Sequence, residues 1–401
     1  VTVEIGHLTL KRLAIVSTAV PPASSGQARV LGEIFAPGFV QPPTWFSDRL
    51  DLLEAKADHF GQYIHLTPAQ FTLFGSRSTG RSGRVNNWAG LVATVFERAR
   101  QIIAELKHDP VDAVIGASGS PFDIPSAWLA ARRMRLPFAA WLFDDPVMQW
   151  PKESIYRWFA QAWEFFWANN AIVLVPNEIM AEDFTRRHPR AKIPRLVRNP
   201  AAPAAFAQEP RMGFSGSPIR IVYTGSIYSA QADAVRDLID ALEEMEGRFE
   251  LHIYSAQTEA AIAQQGLCGR FVFVHQHLSH AASLAAQQQA DVLFLPLAFS
   301  SGIPEVIRSS APAKLAEYLA SLRPILVHAP PGSFVCKLIA ESGAGLVVDT
   351  EGPEGLKLAL RDLENLDVVR EIQSAASRIA CQFRVEASRQ ALFDSIANEV
   401  A

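Results

Sequence analysis

Ser309-Ser310-Ala311-Pro312-Ala313-Lys314-Leu315-Ala316-Glu317-Tyr318-Leu319-Ala320-Ser321-Leu322-Arg323-Pro324 is the most informative run in this chain. Pro312 predicts the first turn of a helix, and Ser309 and Ser310 stand where they can cap it. A helix start offers backbone N–H groups and a positive dipole end, which together suit an anion. Lys314, in that first turn, adds a mobile ammonium suited to a diphosphate. Glu317, one turn further on, suits hydrogen bonds from sugar hydroxyls. The same spacing also describes an ordinary amphipathic helix, with Leu315, Tyr318 and Leu319 turned to a core. Spacing alone leaves both readings open.

Directly after this run comes Ile325–His328, a short β-rich apolar segment. Working outward, such segments alternate with helical stretches along the whole chain, the rhythm of parallel βαβ units. In the first half they are Leu13–Ser17, Tyr63–Leu66, Ala113–Gly116, Phe138–Phe143 and Ala171–Val175. In the second half they are Ile219–Thr224, Leu251–Ser255, Phe271–His275, Asp291–Pro296, Ile325–His328 and Gly345–Val348. Asn199–Pro218, rich in Pro, Ala, Gly and Ser, carries no strong period and separates the halves. The expected organisation is a first domain over 1–205, a linker over 206–217, a second domain over 218–385 and a terminal helix over 386–401. In that helix Leu392, Phe393 and Ile396 are placed to pack back on the first domain. Two open α/β sheets facing each other would bind ligands in a cleft outside the carboxyl ends of their strands.

Length and composition agree. A chain of 401 residues exceeds one typical core, and 49% hydrophobic with 19% charged residues is globular. A net charge of −4 gives no reason to expect nucleic acid as a partner. The three cysteines, Cys268, Cys336 and Cys381, are widely spaced and suit reduced thiols in a cytoplasmic protein. No apolar run approaches the ~20 residues of a membrane span, and Val1–Thr18 does not read as a signal sequence. The expectation is a soluble protein, at most peripheral at the inner face of a membrane.

The strand ends are where chemistry is expected. Ser17–Gly26, with Ser25 and Gly26 before a helical stretch, and Gly225-Ser226 after Ile219–Thr224 are small-residue turns in equivalent places. Neither is a full G-x-G-x-x-G or a Walker loop, so a dehydrogenase or P-loop enzyme is disfavoured. Ser118 and Ser120 flank Gly119 without a Gly-x-Ser-x-Gly elbow. His275, His277 and His280 cluster at a strand end without partners at zinc spacing. Gly75–Arg84 reads as a flexible loop bearing three arginines. Ser154–Trp167 is apolar nearly all round and is expected to be buried. With the basic run Arg186–Arg198 it leaves a contact with anionic lipid open.

Several stretches resemble retaining GT-B glycosyltransferases. Ala171–Phe184 is similar to a segment near the end of their first domain, and Leu196-Val197-Arg198-Asn199-Pro200 to the strand and turn before their linker. Ala113–Pro121 and Leu142-Phe143-Asp144-Asp145-Pro146 look like a subgroup with Ser-x-Pro-Pro and Phe-Arg-Asp-Pro-Trp. Pro312–Ala320 is similar to the Pro-x-Lys-Leu-x-Glu-Tyr-Leu signature of that family-four-like subgroup. The resemblance implies a GT-B fold of two Rossmann-like parallel-sheet domains. It also implies a metal-independent, retaining hexosyl transfer from a nucleotide-diphosphate sugar, a co-substrate rather than a cofactor. The acceptor would be a glycan or lipid-linked molecule in bacterial surface polysaccharide synthesis.

By the same resemblance Lys314 binds the diphosphate and serves catalysis with Asp145, and Glu317 meets the ribose. Gly225 and Ser226 lie by the phosphates, the Ser309–Ala313 amides and Lys314 receive the leaving diphosphate, and Leu278 neighbours the base. Ser25, Gly26 and Ser118 fall on the acceptor side. Two departures stand out. Ser309 occupies the place of the earlier glutamate of the family's Glu-x7-Glu pattern, and the basic pair after the second domain's first strand is absent. They keep open a non-catalytic nucleotide- or glycan-binding protein on the same scaffold, and a nucleotide-sugar epimerase or hydrolase.

Overall fold

Leu13-Ala-Ile-Val16 is apolar at every position and buried at every position, as a parallel strand covered on both faces must be. The computed structural model describes residues 12–23, 25–36, 41–49, 60–69, 80–207, 209, 210 and 213–400. They form two compact units, the first of residues 1–198 with 388–401 and the second of 199–387.

The first unit runs β1 (Leu13–Val16), α1 (Gly26–Ile34), β2 (Thr44–Ser47), β3 (Gln62–His65), α2 (Gly80–His108), β4 (Ala113–Ala117) and α3 (Asp123–Met134). It continues with β5 (Phe138–Trp141), α4 (Ile155–Trp167), β6 (Ile172–Val175), α5 (Glu178–Arg187) and β7 (Arg195–Leu196). The strands pair in parallel in the order β3-β2-β1-β4-β5-β6-β7. The second unit contains β8 (Ile219–Thr224), α6 (Ala232–Glu244), β9 (Phe249–Tyr254), α7 (Glu259–Gln264), β10 (Val272–His275), α8 (His280–Gln289) and β11 (Val292–Pro296). After these come α9 (Pro304–Ser309), α10 (Ala313–Ala320), β12 (Ile325–His328), α11 (Phe334–Ser342), β13 (Gly345–Val348), α12 (Pro353–Leu363), α13 (Leu366–Ala380) and α14 (Val385–Val400). Its sheet, also parallel, has the order β10-β9-β8-β11-β12-β13. In both sheets the order reverses beside the first strand, next to β4 in one and β11 in the other. Those are the switch points where a doubly wound fold opens a crevice.

The expected α/β class and the two parallel sheets are therefore present. Periodicity missed two strands of this sheet: β2, Thr-Trp-Phe-Ser, is short and follows two prolines, and β7 is only two exposed residues, so neither shows the apolar run that marked its neighbours. Gly75–Thr79 lie outside the described residues, whereas Gly80–Arg84 open α2 rather than continuing a loop.

The chain passes from the first unit to the second between Arg198 and Asn199. The described part of 206–217 is fastened to the second unit. Arg384 stacks over the Phe206 ring at 4.4 Å, the Ala207 amide donates to the Ala320 carbonyl, and Ser215 bonds twice to Asp291. Pro/Ala/Gly/Ser composition reports a missing period, not missing contacts. From Ser388 onward α14 belongs to the first unit. Leu392 and Ile396 are buried there, and the Arg389 guanidinium donates to the Ile34 and Glu33 carbonyls at the end of α1. A cation at a helix carboxyl end satisfies its last carbonyls and its dipole together.

α4 departs from expectation. Phe159, Trp163 and Trp167 are buried, but Trp158, Phe165 and Phe166 are 62%, 73% and 53% exposed. A single surface helix packs one face on the sheet, so an all-round apolar sequence leaves its outer face bare.

At one edge of the second sheet, His252 Nδ1 and His275 Nε2 lie 2.9 Å apart in a hydrogen bond, with their rings stacked. Burial first, and Arg220 second, hold both imidazoles below the ordinary histidine value of 6.5. Glu250, the other charged neighbour, pulls His252 the other way.

Two outcomes are expected. Arg389→Ala removes charged hydrogen bonds from a buried site and should cost about 2–3 kcal/mol, read as a lower urea midpoint, with Arg389→Lys recovering part. For the histidine pair, depressed native values mean stability that is present above about 6.5 and lost as pH falls through them. Urea midpoints of the wild type should fall between pH 7.5 and 5, and those of His275→Gln should fall less.

Candidate functional site

In the second unit the carboxyl end of β8 carries Tyr223, Thr224, Gly225 and Ser226. Gly225 has φ +118°, a left-handed conformation that a side chain strains, and its amide donates to the Tyr254 carbonyl. The Lys314 ammonium lies against this glycine, so that a Cβ there would come within 2.9 Å of Nζ. Beneath it is the Tyr223 ring, with Nζ 3.9 Å from the centroid. The ring is fully buried and its hydroxyl donates to the Ser226 carbonyl at 2.8 Å. One aromatic side chain therefore braces both the lysine and the turn beside it. With the ammonium half-buried, a cation–π contact of this kind contributes on the order of 1 kcal/mol.

The helix start differs in detail from the expectation. α10 begins at Ala313 with Pro312 as its cap residue and no side-chain cap. Ser309 instead ends α9, buried, with its hydroxyl donating to the Glu305 carbonyl, and Ser310 is that helix's half-buried C-cap. Pro304 starts a separate short helix, which consumes the serines before α10 begins. Asn199 donates to the Ala311 carbonyl at 2.9 Å and so holds the intervening turn. Lys314 remains in the first turn.

Glu317 lies one turn on but is buried. Its carboxylate accepts from His280 Nε2 at 3.0 Å and from Gln287 Nε2 at 2.9 Å. Gln287 also donates to the Thr224 hydroxyl, and the Tyr318 hydroxyl accepts from the Thr224 amide. Burial pushes the Tyr318 hydroxyl up to about 12, so it stays protonated. Leu278 is half-buried in the turn before α8, which Ser279 caps. The structure thus gathers Gly225, Ser226, Lys314 and Glu317 into one neighbourhood of this unit.

In the first unit the loops after β1, β4 and β5 meet. Ser25 is exposed, capping α1 at Gly26 by accepting from the Ala28 amide. Gln27 donates to the Ser17 hydroxyl and lies against Gly119, whose φ is +121°. Ser118 is fully buried and accepts from the amides of Phe143 and Asp144, so it ties two loops rather than facing solvent. Asp145 is likewise engaged by the protein. It accepts from the Val147 and Met148 amides and pairs with Arg187 at 2.8 Å, in a network that includes Glu164. Burial, opposed by Arg187, leaves its carboxyl above the ordinary aspartate value. The neighbouring Asp144 is the carboxylate of the pair that reaches the surface, although burial of its base and the nearby Asp145 still hold it above the ordinary aspartate value.

Sequence reasoning did not find Tyr223, Gln287 or the buried Arg98, which bonds Asp48 and Asp123 under Thr18. Tyr223 and Lys314 are far apart along the chain and share no motif. Of the histidine cluster, His275 turns to His252 and His280 to Glu317.

No protein-family model matches the chain, and no curated protein matches it by sequence. Solved structures do. A glycosyltransferase from Rickettsia africae ESF-5 superposes with a TM-score of 0.68 at 14% identity, over 98% of this chain and 99% of that one. Anabaena HepE in complex with UDP-glucose gives 0.65 at 13% identity, over 97% and 99%. WaaG, a glycosyltransferase involved in lipopolysaccharide biosynthesis, gives 0.63 at 15% identity, over 96% and 99%. At these identities the likeness is one of fold. The chain has the GT-B fold, two Rossmann-like units with parallel sheets of seven and six strands, in common with these glycosyltransferases.

Proposed function

We propose that the protein is a retaining, metal-independent glycosyltransferase that moves a hexosyl group from a nucleotide-diphosphate sugar to a glycan or lipid-linked acceptor in bacterial surface polysaccharide synthesis. The observation that carries this is Lys314, held over the Tyr223 ring and against Gly225 at the end of β8. An ammonium in the first turn of a helix, beside a glycine turn at a sheet's switch point, is suited to a diphosphate. When the glycosidic bond breaks, negative charge builds on the departing diphosphate. A cation already in place lowers that barrier without reorganisation. The first unit takes the acceptor, with Ser25, Gly26 and the exposed Asp144 as its contacts. Asp145 acts through the turn that it caps and the Arg187 pair.

Uridine is the first base to try, because HepE, of the same fold, was solved with UDP-glucose. UDP, GDP and ADP should be compared by thermal shift. The best of them should raise the melting temperature, and Lys314→Ala should weaken its binding at least tenfold, with only a small fall in the unliganded melt from the lost contact with Tyr223. Transfer of labelled sugar to a lipid-linked acceptor then completes the test. A wild type that none of the three nucleotides stabilises would overturn the donor assignment.

A lipid-linked acceptor fits the outer face of α4. Phe166 stacks on Trp128, Arg132 lies over Trp128 at 5.4 Å, and Phe96, 57% exposed, meets Trp163. Exposed Arg132, Arg133 and Arg135 flank the rings at the end of α3. Aromatic rings beside cations are suited to the interface of an anionic bilayer. Among the described residues no helix is long and apolar enough to cross a membrane, so the contact proposed is peripheral. The protein should sediment with phosphatidylglycerol vesicles more than with phosphatidylcholine vesicles, and the triple variant Trp158→Ser, Phe165→Ser, Phe166→Ser should lose most of that binding.

A further inference from the structure

Glu317 is the residue that the sequence signature assigns to the ribose hydroxyls, yet its side chain is 3% exposed. One carboxylate oxygen accepts from His280 Nε2 and the other from Gln287 Nε2. Gln287 is itself buried and is anchored on the Thr224 hydroxyl, so the carboxylate is fixed from behind. His280, by contrast, keeps 34% of its side chain exposed. It is the first residue of α8, directly after the turn that carries Leu278 and Ser279. Glu317 sits one turn along α10 from Lys314, so the imidazole belongs to the same neighbourhood as the ammonium.

We propose that His280, held by the buried Glu317 carboxylate, is the group that meets the ribose hydroxyls of a nucleoside diphosphate, with Glu317 as its positioning residue. The inference rests on the donor site proposed above and goes beyond it, since no motif of the chain marks His280. A carboxylate that accepts from Nε2–H orients the ring and turns Nδ1 outward, where the neutral imidazole offers an acceptor. A ribose hydroxyl donates to such an acceptor as readily as to a carboxylate oxygen. For Glu317 to reach a hydroxyl itself, it would have to release a charge-assisted hydrogen bond in a buried site, which is costly. Presenting the imidazole requires no such loss. The missing earlier glutamate, Ser309, is consistent with a site that does not rely on carboxylates at its surface.

The test compares UDP, GDP and ADP with their 2′-deoxy counterparts by thermal shift and calorimetry, on the wild type, His280→Ala and Glu317→Gln. The wild type should prefer the ribonucleotide at least fivefold. His280→Ala should abolish that preference while keeping a Lys314-dependent response to the diphosphate, with each shift read against the variant's own unliganded melt, which should fall because the buried Glu317 carboxylate loses a donor. Glu317→Gln should weaken both nucleotides and retain part of the preference, because a carboxamide oxygen still accepts from His280. If His280→Ala keeps the ribose preference, or Glu317→Gln alone abolishes it, the assignment to His280 is overturned. Failure of the donor site itself looks different: the wild type then responds to none of the nucleotides, with or without the 2′-hydroxyl.

Discussion

The contact between the Lys314 ammonium and the Tyr223 ring is the interaction on which the second unit's site depends. It joins β8, at the centre of the sheet, to the first turn of α10. Parallel pairing makes this possible, because every strand of the sheet delivers its loop at the same end. Tyr223 is fixed by burial and by its bond to the Ser226 carbonyl, so the lysine is positioned by a rigid element rather than by a loop. The left-handed Gly225 leaves room for it. A larger residue there would meet the ammonium and strain the turn at once.

Buried polar groups set the remaining geometry. Glu317, Gln287, Thr224 and Tyr318 form a continuous hydrogen-bonded chain beneath the proposed donor site. In the first unit Arg98 holds Asp48 and Asp123 under Thr18, and Ser118 bridges to the loop that begins at Phe143. A buried polar group left without a partner is costly, so such networks hold loops in single arrangements. Their members are therefore supports. The residues that remain at the surface above them, Lys314, His280 and Asp144, are the ones placed to meet a ligand.

This division between support and surface explains why family signatures and local geometry diverge at two positions. Asp145 and Glu317 stand out in sequence as carboxylates within recognisable runs. Both are buried and occupied by the protein's own donors. Each has an adjacent or bonded partner, Asp144 or His280, that is more exposed.

Much of the architecture was legible in the chain itself. Apolar runs such as Ile219–Thr224 and Ile325–His328 coincide with their strands, because a strand buried on both faces admits little else. The Pro312–Ala320 run placed Lys314 in a first helical turn, since proline position and apolar spacing are local properties. Other features needed the folded molecule. The serines before Pro312 end α9 instead of capping α10, which only the path of the backbone decides. Whether α4 is covered on its outer face depends on what neighbours it, not on its own aromatic content. Tyr223 with Lys314, and His280 with Glu317, are brought together by sheet order and helix packing. Contacts between residues distant in sequence leave no periodic trace, so tertiary structure alone determines which side chains support and which face a ligand.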